Sequence, residues 1–190
     1  MKQVLVTGGL GYIGSHTVVA LQQKGYEVVV VDNLSNSQLT VLDGITSITG
    51  VTPHFENIDL REKTSVQQLF QKYPSLDAVI HFAAFKAVGE SVEKPLDYYE
   101  NNIHTLVYLL QELGKKPKAH FIFSSSCTVY GQAKQMPITE NAPVQQAMSP
   151  YGNTKQIGEE IVHDASKVSN VQSVLLRYFN PIGAHHSAAI

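Results

Sequence analysis

The chain has 190 residues, 43% of them hydrophobic and 16% charged, with a formal net charge of −2. That length suits one well-buried core rather than two ordinary domains, and the charge leaves no basic surplus for a nucleic-acid or anionic-membrane partner. No apolar stretch approaches a membrane span, and the single cysteine, Cys127, cannot close an internal disulfide, which fits a reducing cytoplasm.

Met1-Lys2-Gln3 leads straight into a strand-like run, so no signal or transit segment is expected before it. Along the chain, short apolar runs alternate with helical patterns. Strands are predicted at residues 3–7, 27–32, 52–57, 77–83, 119–124 and 171–178. Helices are predicted at 12–24, 38–48, 62–72, 88–113 and 150–167, with Gly25 closing the first. Parallel strands need helical crossovers, so the expected fold is α/β: a Rossmann-like doubly wound parallel sheet of about six strands, helices on both faces. The runs at 77–83 and 119–124 are apolar enough to be central. The segment from Gly131 to Ser149, with Pro137 and Pro143 inside it, is the one long irregular stretch. Eight histidines are scattered without metal-ligand spacing, and the adjacent pair His185-His186 reads as tail rather than ligand.

The first strand runs into Thr7-Gly8-Gly9-Leu10-Gly11-Tyr12-Ile13-Gly14, and a helix follows. Gly8 permits a sharp turn, Gly11 lets backbone approach a pyrophosphate, and Gly14 removes a Cβ where helix meets strand. The helix N-terminus offers amide N–H groups to the phosphates. Asp32 ends the second strand, placed to accept hydrogen bonds from an adenosine ribose, while Asn33-Leu34-Ser35-Asn36-Ser37 supplies no cation for a 2′-phosphate. The fingerprint in this context points to NAD rather than NADP. In such a sheet ligands lie beyond the carboxyl ends of the strands, so Phe82-Ala83-Ala84-Phe85-Lys86, Ser124-Ser125-Ser126 and Tyr178-Phe179-Asn180 should converge there.

Tyr151 and Lys155 are four residues apart on a helix that Ser149 caps and Pro150 opens, so they share a face. Lowering a tyrosine from its ordinary pKa of ~10 to ~7 requires about 4 kcal/mol of preferential phenolate stabilisation. Lys155 and a positively charged nicotinamide ring are candidate sources of that field. Such a phenolate is a general base for an alcohol or sugar hydroxyl, and Ser126 could hydrogen-bond the same oxygen. The spacing recurs at Tyr130-Gly131-Gln132-Ala133-Lys134, but in a loop-like stretch where it fixes no common face. The pair Tyr151/Lys155 is therefore the one assigned to chemistry.

These segments, with Lys86-Ala87-Val88-Gly89-Glu90-Ser91, Phe121 to Gly131, Ser149-Pro150-Tyr151-Gly152 and Arg177-Tyr178-Phe179-Asn180-Pro181-Ile182-Gly183-Ala184-His185, resemble the extended short-chain dehydrogenase/reductase family in its UDP-glucose 4-epimerase branch. The resemblance spans nearly the whole chain. It implies that Tyr151 takes the proton from the C4 hydroxyl of a UDP-hexose while hydride passes to a tightly held NAD. The transient 4-keto sugar then turns and receives the hydride on its other face. It further implies that Ser126 assists proton transfer, and that Lys155 holds the nicotinamide ribose and lowers the Tyr151 pKa. Tyr12, Ile13, Asp32 to Ser37, Asp59, Leu60, Phe82 to Lys86, Asn101 and Phe179 match cofactor-contacting positions. Asn180 matches a substrate-contacting one, as do Lys86, Ser126 and Tyr151. Related nucleotide-sugar dehydratases carry an Asp-Glu pair where this chain has Cys127-Thr128, which disfavours dehydration.

The family is usually longer. The expected organisation is an NAD-binding domain over 1–180 and the start of a substrate domain at 181–190. The short chain is expected to bind NAD, to turn over poorly, and to self-associate or form a homodimer. Two other readings stay open: a non-catalytic NAD-binding module, and hydride exchange with an external alcohol.

Overall fold

A computed structural model describes residues 2–133 and 136–190; Met1 and Lys134, the latter half of the second Tyr/Lys pair, lie outside the described residues. Six parallel strands, β1 (Gln3–Thr7), β2 (Glu27–Val31), β3 (His54–Glu56), β4 (Leu76–His81), β5 (Ala119–Ser126) and β6 (Val171–Tyr178), form one sheet in the order β3-β2-β1-β4-β5-β6. The helices are α1 (Tyr12–Gln23), α2 (Thr40–Thr49), α3 (Lys63–Lys72), α4 (Val88–Glu93), α5 (Pro95–Leu113) and α6 (Pro150–Val168). The strand order reverses between β1 and β4, which opens a crevice at their carboxyl ends.

Alternation along the strands divides the core between the two faces. Val4, Val6, Val28 and Val30 pack in one cluster with Val18, Val19 and Ile45 of α1 and α2. Leu5, Val29, Val79, Phe121 and Phe123 pack in the other with Leu69, Leu106, Leu109 and Val162 of α3, α5 and α6. Both faces are covered, as a parallel sheet requires. No helix among the described residues is long and apolar enough to cross a membrane.

Three predicted elements change most. The single helix expected over 88–113 is two: Lys94 adopts φ −128°, ψ 57° and Pro95 opens α5 at its first turn. A residue before proline is driven out of the helical region, and proline's missing N–H costs nothing at a helix start. The strand expected over 52–57 shrinks to β3, an edge strand paired only with β2. Conversely, β5 runs on through Ser124, Ser125 and Ser126, pairing Ser126 with Tyr178. The serines expected beyond the strand are thus its last three residues, held by the ladder. Gly25 follows α1 at φ 80°, the left-handed conformation of a helix stop.

Candidate active site

The glycine turn sits at the tip of β1. Gly8 has φ 63°, and a Cβ there would lie 2.7 Å from the Ala83 amide nitrogen, so this turn touches the turn after β4. At Gly14 a Cβ would meet the Gly8 carbonyl oxygen at 2.2 Å, fixing how closely α1 packs on the turn. Gly11 differs: a Cβ would meet only the Gly8 oxygen, at 3.2 Å, and no side chain caps the α1 N-terminus. Protein packing alone explains Gly8 and Gly14, whereas Gly11 leaves an open cradle beside uncapped amides.

Asp32 organises the next wall. Its carboxylate accepts from the Leu10 amide at 3.2 Å, the Leu34 amide at 3.0 Å and the Ser37 hydroxyl at 2.7 Å. It therefore ties the glycine turn to the 33–37 loop, where Leu34 takes φ 60° and Asn33 accepts from the Ser35 amide. Asp59 is gripped by Arg61, with Nη2 to Oδ2 at 2.6 Å, and that bond chiefly holds its pKa below the ordinary value. Leu60 belongs to the hydrophobic core, 4% exposed. Tyr12 donates to the Gly183 carbonyl at 2.7 Å. Lys86, Phe179 and Asn180 are exposed.

The side chains that the sequence assigns to chemistry meet at the same edge of the sheet. Ser149 caps α6 by accepting from the Gly152 amide at 3.1 Å, and Pro150 opens it, as the sequence predicts. Lys155 is buried; its Nζ donates to the Ser124 carbonyl at 2.7 Å and lies 5.0 Å from the Phe123 ring centre and 5.9 Å from that of Tyr151. Burial lowers the Lys155 pKa to about 8. The folded chain then holds fewer protons on this group than the unfolded chain between pH 8 and its ordinary value, so its cost to stability fades as pH rises through that window.

Burial pushes the Tyr151 phenol above its ordinary pKa; the neighbouring Ser126 hydroxyl opposes the rise without reversing it. The depression expected from Lys155 is therefore not supplied by the protein's own groups. The ammonium is engaged at the Ser124 carbonyl.

Sequence reasoning missed the supports. Asn102 clamps the turn after β4 to α6: its Oδ1 accepts from the Phe85 amide at 2.8 Å, and its Nδ2 donates to the Phe85 carbonyl and Thr154 Oγ1, both at 3.0 Å. Asn101, assigned to cofactor contact, donates to Asn102 Oδ1 at 3.0 Å. Two adjacent asparagines in the buried stripe of α5 were the available signal. A second network joins Ser125, Glu159, Arg177 and Tyr130, so Tyr130 is bound into the structure at Arg177 rather than idle in a loop. Thr128 Oγ1 is buried with no partner among the described residues and lies within 3.5 Å of where a Gly152 Cβ would stand, a polar atom suited to an incoming hydroxyl.

The model of the NAD dependent epimerase/dehydratase family matches residues 4–189. The UDP-glucose 4-epimerase of Neisseria meningitidis serogroup A is 46% identical over all of this chain and 56% of its own length. UDP-glucose 4-epimerase 2 of Arabidopsis thaliana is 49% identical, covering 100% of this chain and 55% of its own length. Among solved structures, the UDP-glucose 4-epimerase of Bifidobacterium longum in complex with NAD+ and UDP superposes with a TM-score of 0.95 at 44% identity, over 100% of this chain and 56% of that one. The Stenotrophomonas maltophila enzyme with bound NAD and formylated UDP-arabinopyranose gives 0.94 at 46% identity, with the same coverage. The chain thus spans little more than half the length of these relatives. By sequence along nearly its whole length and by fold, the chain belongs to the NAD dependent epimerase/dehydratase family.

Proposed function

We propose that this chain binds NAD across the tips of β1, β2 and β4 and carries the catalytic groups of a UDP-hexose 4-epimerase, acting on UDP-glucose and UDP-galactose. One observation carries the reading: an open glycine cradle and a cluster of buried Ser126 and Lys155 with half-buried Tyr151 occupy the same carboxyl edge of one parallel sheet. The family's cofactor fits the residues present, because Gly11 leaves room at uncapped amides and Asp32 faces the 33–37 loop without a competing cation. Bound NAD supplies a hydride acceptor that can return the hydride to either face of the sugar.

The protein's part is proton handling and orientation. Tyr151 removes the proton of the C4 hydroxyl and later returns one, and Ser126 hydrogen-bonds the same oxygen. Lys155 brings a fixed positive charge, anchored at Ser124, to the phenol's side of the crevice. Asp32, Asn33 to Ser37, Asp59 and the backbone at Leu60 form the adenosine end. Phe82 to Lys86 with Asn101, and Phe179 with Asn180, line the nicotinamide and sugar ends. In this proposal residues 1–180 form the NAD-binding domain and 181–190 begin the substrate-binding part. Self-association as a homodimer, with apolar side chains such as Val92 and Leu96 exposed, and a cytoplasmic location belong to the same proposal.

Calorimetric titration with NAD and an assay converting UDP-galactose to UDP-glucose test it. NAD binding is expected to be robust and turnover by the 190-residue chain weak. Absence of NAD binding would overturn the assignment, and net release of NADH with an alcohol would favour an external dehydrogenase.

Two glycine variants separate fold from ligand. Gly14→Ala forces a Cβ into the Gly8 carbonyl and should cost ~1–3 kcal/mol of stability or more. Gly11→Ala, at an ordinary φ of −73°, should cost under about 1 kcal/mol yet weaken NAD binding about tenfold by filling the cradle. Thermal unfolding beside NAD titration checks both; equal losses of stability would refute the distinction.

A further inference from the structure

His81 is buried at 2% exposure, and nothing in the proton chemistry above employs it. The strand register shows how unusual its place is. Val31, Thr7, His81, Phe123 and Leu175 lie side by side across five strands, in the last row below the crevice. One matching row lower, the first four of those strands place Val29, Leu5, Val79 and Phe121. An apolar side chain at 81 would continue that face; an imidazole there must instead be satisfied by a polar partner.

The partner is Thr7, whose Oγ1 lies 2.7 Å from His81 Nδ1. The same oxygen accepts from the Ala83 amide at 3.3 Å. Ala83 N–H takes one lone pair of the Thr7 oxygen, and the Thr7 hydroxyl meets no other acceptor among the described residues, so satisfying its one hydrogen assigns that hydrogen to Nδ1. His81 is then neutral, with its proton on Nε2.

This small relay sits where the two turns flanking the crevice come into contact. Thr7 directly precedes Gly8, and a Cβ on Gly8 would lie 2.7 Å from the Ala83 nitrogen and 2.9 Å from its Cα. The glycine turn and the turn after β4 are therefore in backbone contact, and the Thr7 hydroxyl is the side-chain tie between them.

We propose that His81 is a positioning residue for the dinucleotide: by accepting the Thr7 hydrogen it fixes that hydroxyl to receive the Ala83 amide, and so holds the two walls of the cofactor crevice at a set separation. The inference rests on the NAD-binding reading given above.

The environment keeps the relay in one state. Burial, with the Lys155 ammonium facing it from α6, lowers the His81 pKa to about 3. The other groups around the ring are Thr7 from β1 and Phe121 and Phe123 from β5. Protonation at Nδ1 would replace the acceptor with a donor and break the tie. The ring also lies 6.2 Å from Phe123 at an interplanar angle of 20°, and Phe123 is the ring beside Lys155 Nζ. One side chain thus supports both the phosphate end and the base end of the site.

The test joins two measurements on the 190-residue chain. Long-range proton–nitrogen NMR of the histidine rings should show His81 as the neutral Nε2–H form at neutral pH; an Nδ1–H form would overturn the proposal. NAD titration of His81→Phe and Thr7→Val should each show binding weakened about tenfold, with the double variant no worse than the singles because both remove one shared tie. His81→Asn, which offers an acceptor near the Nδ1 position, should recover most of the affinity even if its unfolding temperature stays low. Affinity unchanged in His81→Phe, or losses that multiply in the double variant, would refute it. If the unaltered chain binds no NAD, the functional reading fails instead, while the tautomer still decides the Thr7–His81 arrangement.

Discussion

Tyr151→Phe is expected to lower epimerase turnover by a factor of about 10²–10⁴ while leaving NAD affinity and stability nearly unchanged. The substitution removes one oxygen and keeps the ring. Burial already disfavours ionisation of this phenol, and Ser126 opposes that only in part. In the proposed reaction the hydroxyl exchanges a proton, so its loss should fall on kcat more than on KM. Turnover of UDP-galactose is the first readout. The second is independent of rate: in the presence of NAD, an ultraviolet titration should lose one early-ionising tyrosine of the nine in Tyr151→Phe. Retained turnover would remove Tyr151 from the chemistry. A variant indistinguishable from the parent in every measurement would favour a non-catalytic NAD-binding module.

Glu159→Ala should be the most destabilising single change outside the glycine turn. The Glu159 carboxylate accepts from Arg177 Nε at 2.9 Å, Arg177 Nη2 at 2.7 Å and Ser125 Oγ at 2.5 Å. Arg177 also donates to Tyr130 Oη at 3.0 Å, with its guanidinium 4.8 Å from that ring's centre. The pairing raises the Arg177 pKa further above its ordinary value. Truncating Glu159 leaves a largely buried guanidinium without its counter-charge, a loss of ~3–5 kcal/mol for such pairs. In a protein of this size that lowers the unfolding temperature by roughly 10 °C.

The same physics predicts partial recovery in Glu159→Leu/Arg177→Met, because removing both charges removes the desolvation cost as well. Thermal denaturation of the single and double variants checks this; a single variant within a degree or two of the parent would refute it. Glu159 lies one helical turn beyond Lys155, and Ser125 precedes Ser126. The network should therefore also hold Lys155 and Ser126, assigned to catalysis in the proposed function, in register, and residual turnover should fall with stability.

Local pattern was enough for much of the architecture. The alternation of valine-rich runs with helical stretches specified a parallel α/β sheet, and Gly8, Gly11, Gly14 and Asp32 marked the crevice by spacing alone. Ser149-Pro150 marked the start of α6. Where a neighbour in sequence controls the backbone, as proline does at Lys94, the break in the predicted helix was in principle legible too. The extension of β5 through Ser126 was not, because serines carry little strand preference and the pairing with Tyr178 holds them there.

The sequence by itself determined the fold class, the glycine turn and which side chains are candidates for proton handling, because these rest on short-range periodicity and backbone sterics. Only the tertiary structure decided what surrounds those side chains. Lys155 is tied to Ser124 rather than to the phenol, Asn102 bridges residues 17 and 52 positions away, and Thr7 meets His81 across 74 residues. Contacts of that span have no local signature, because they arise when separate strands and helices are packed into one low-dielectric interior. There each buried polar group must find a partner wherever the fold supplies one.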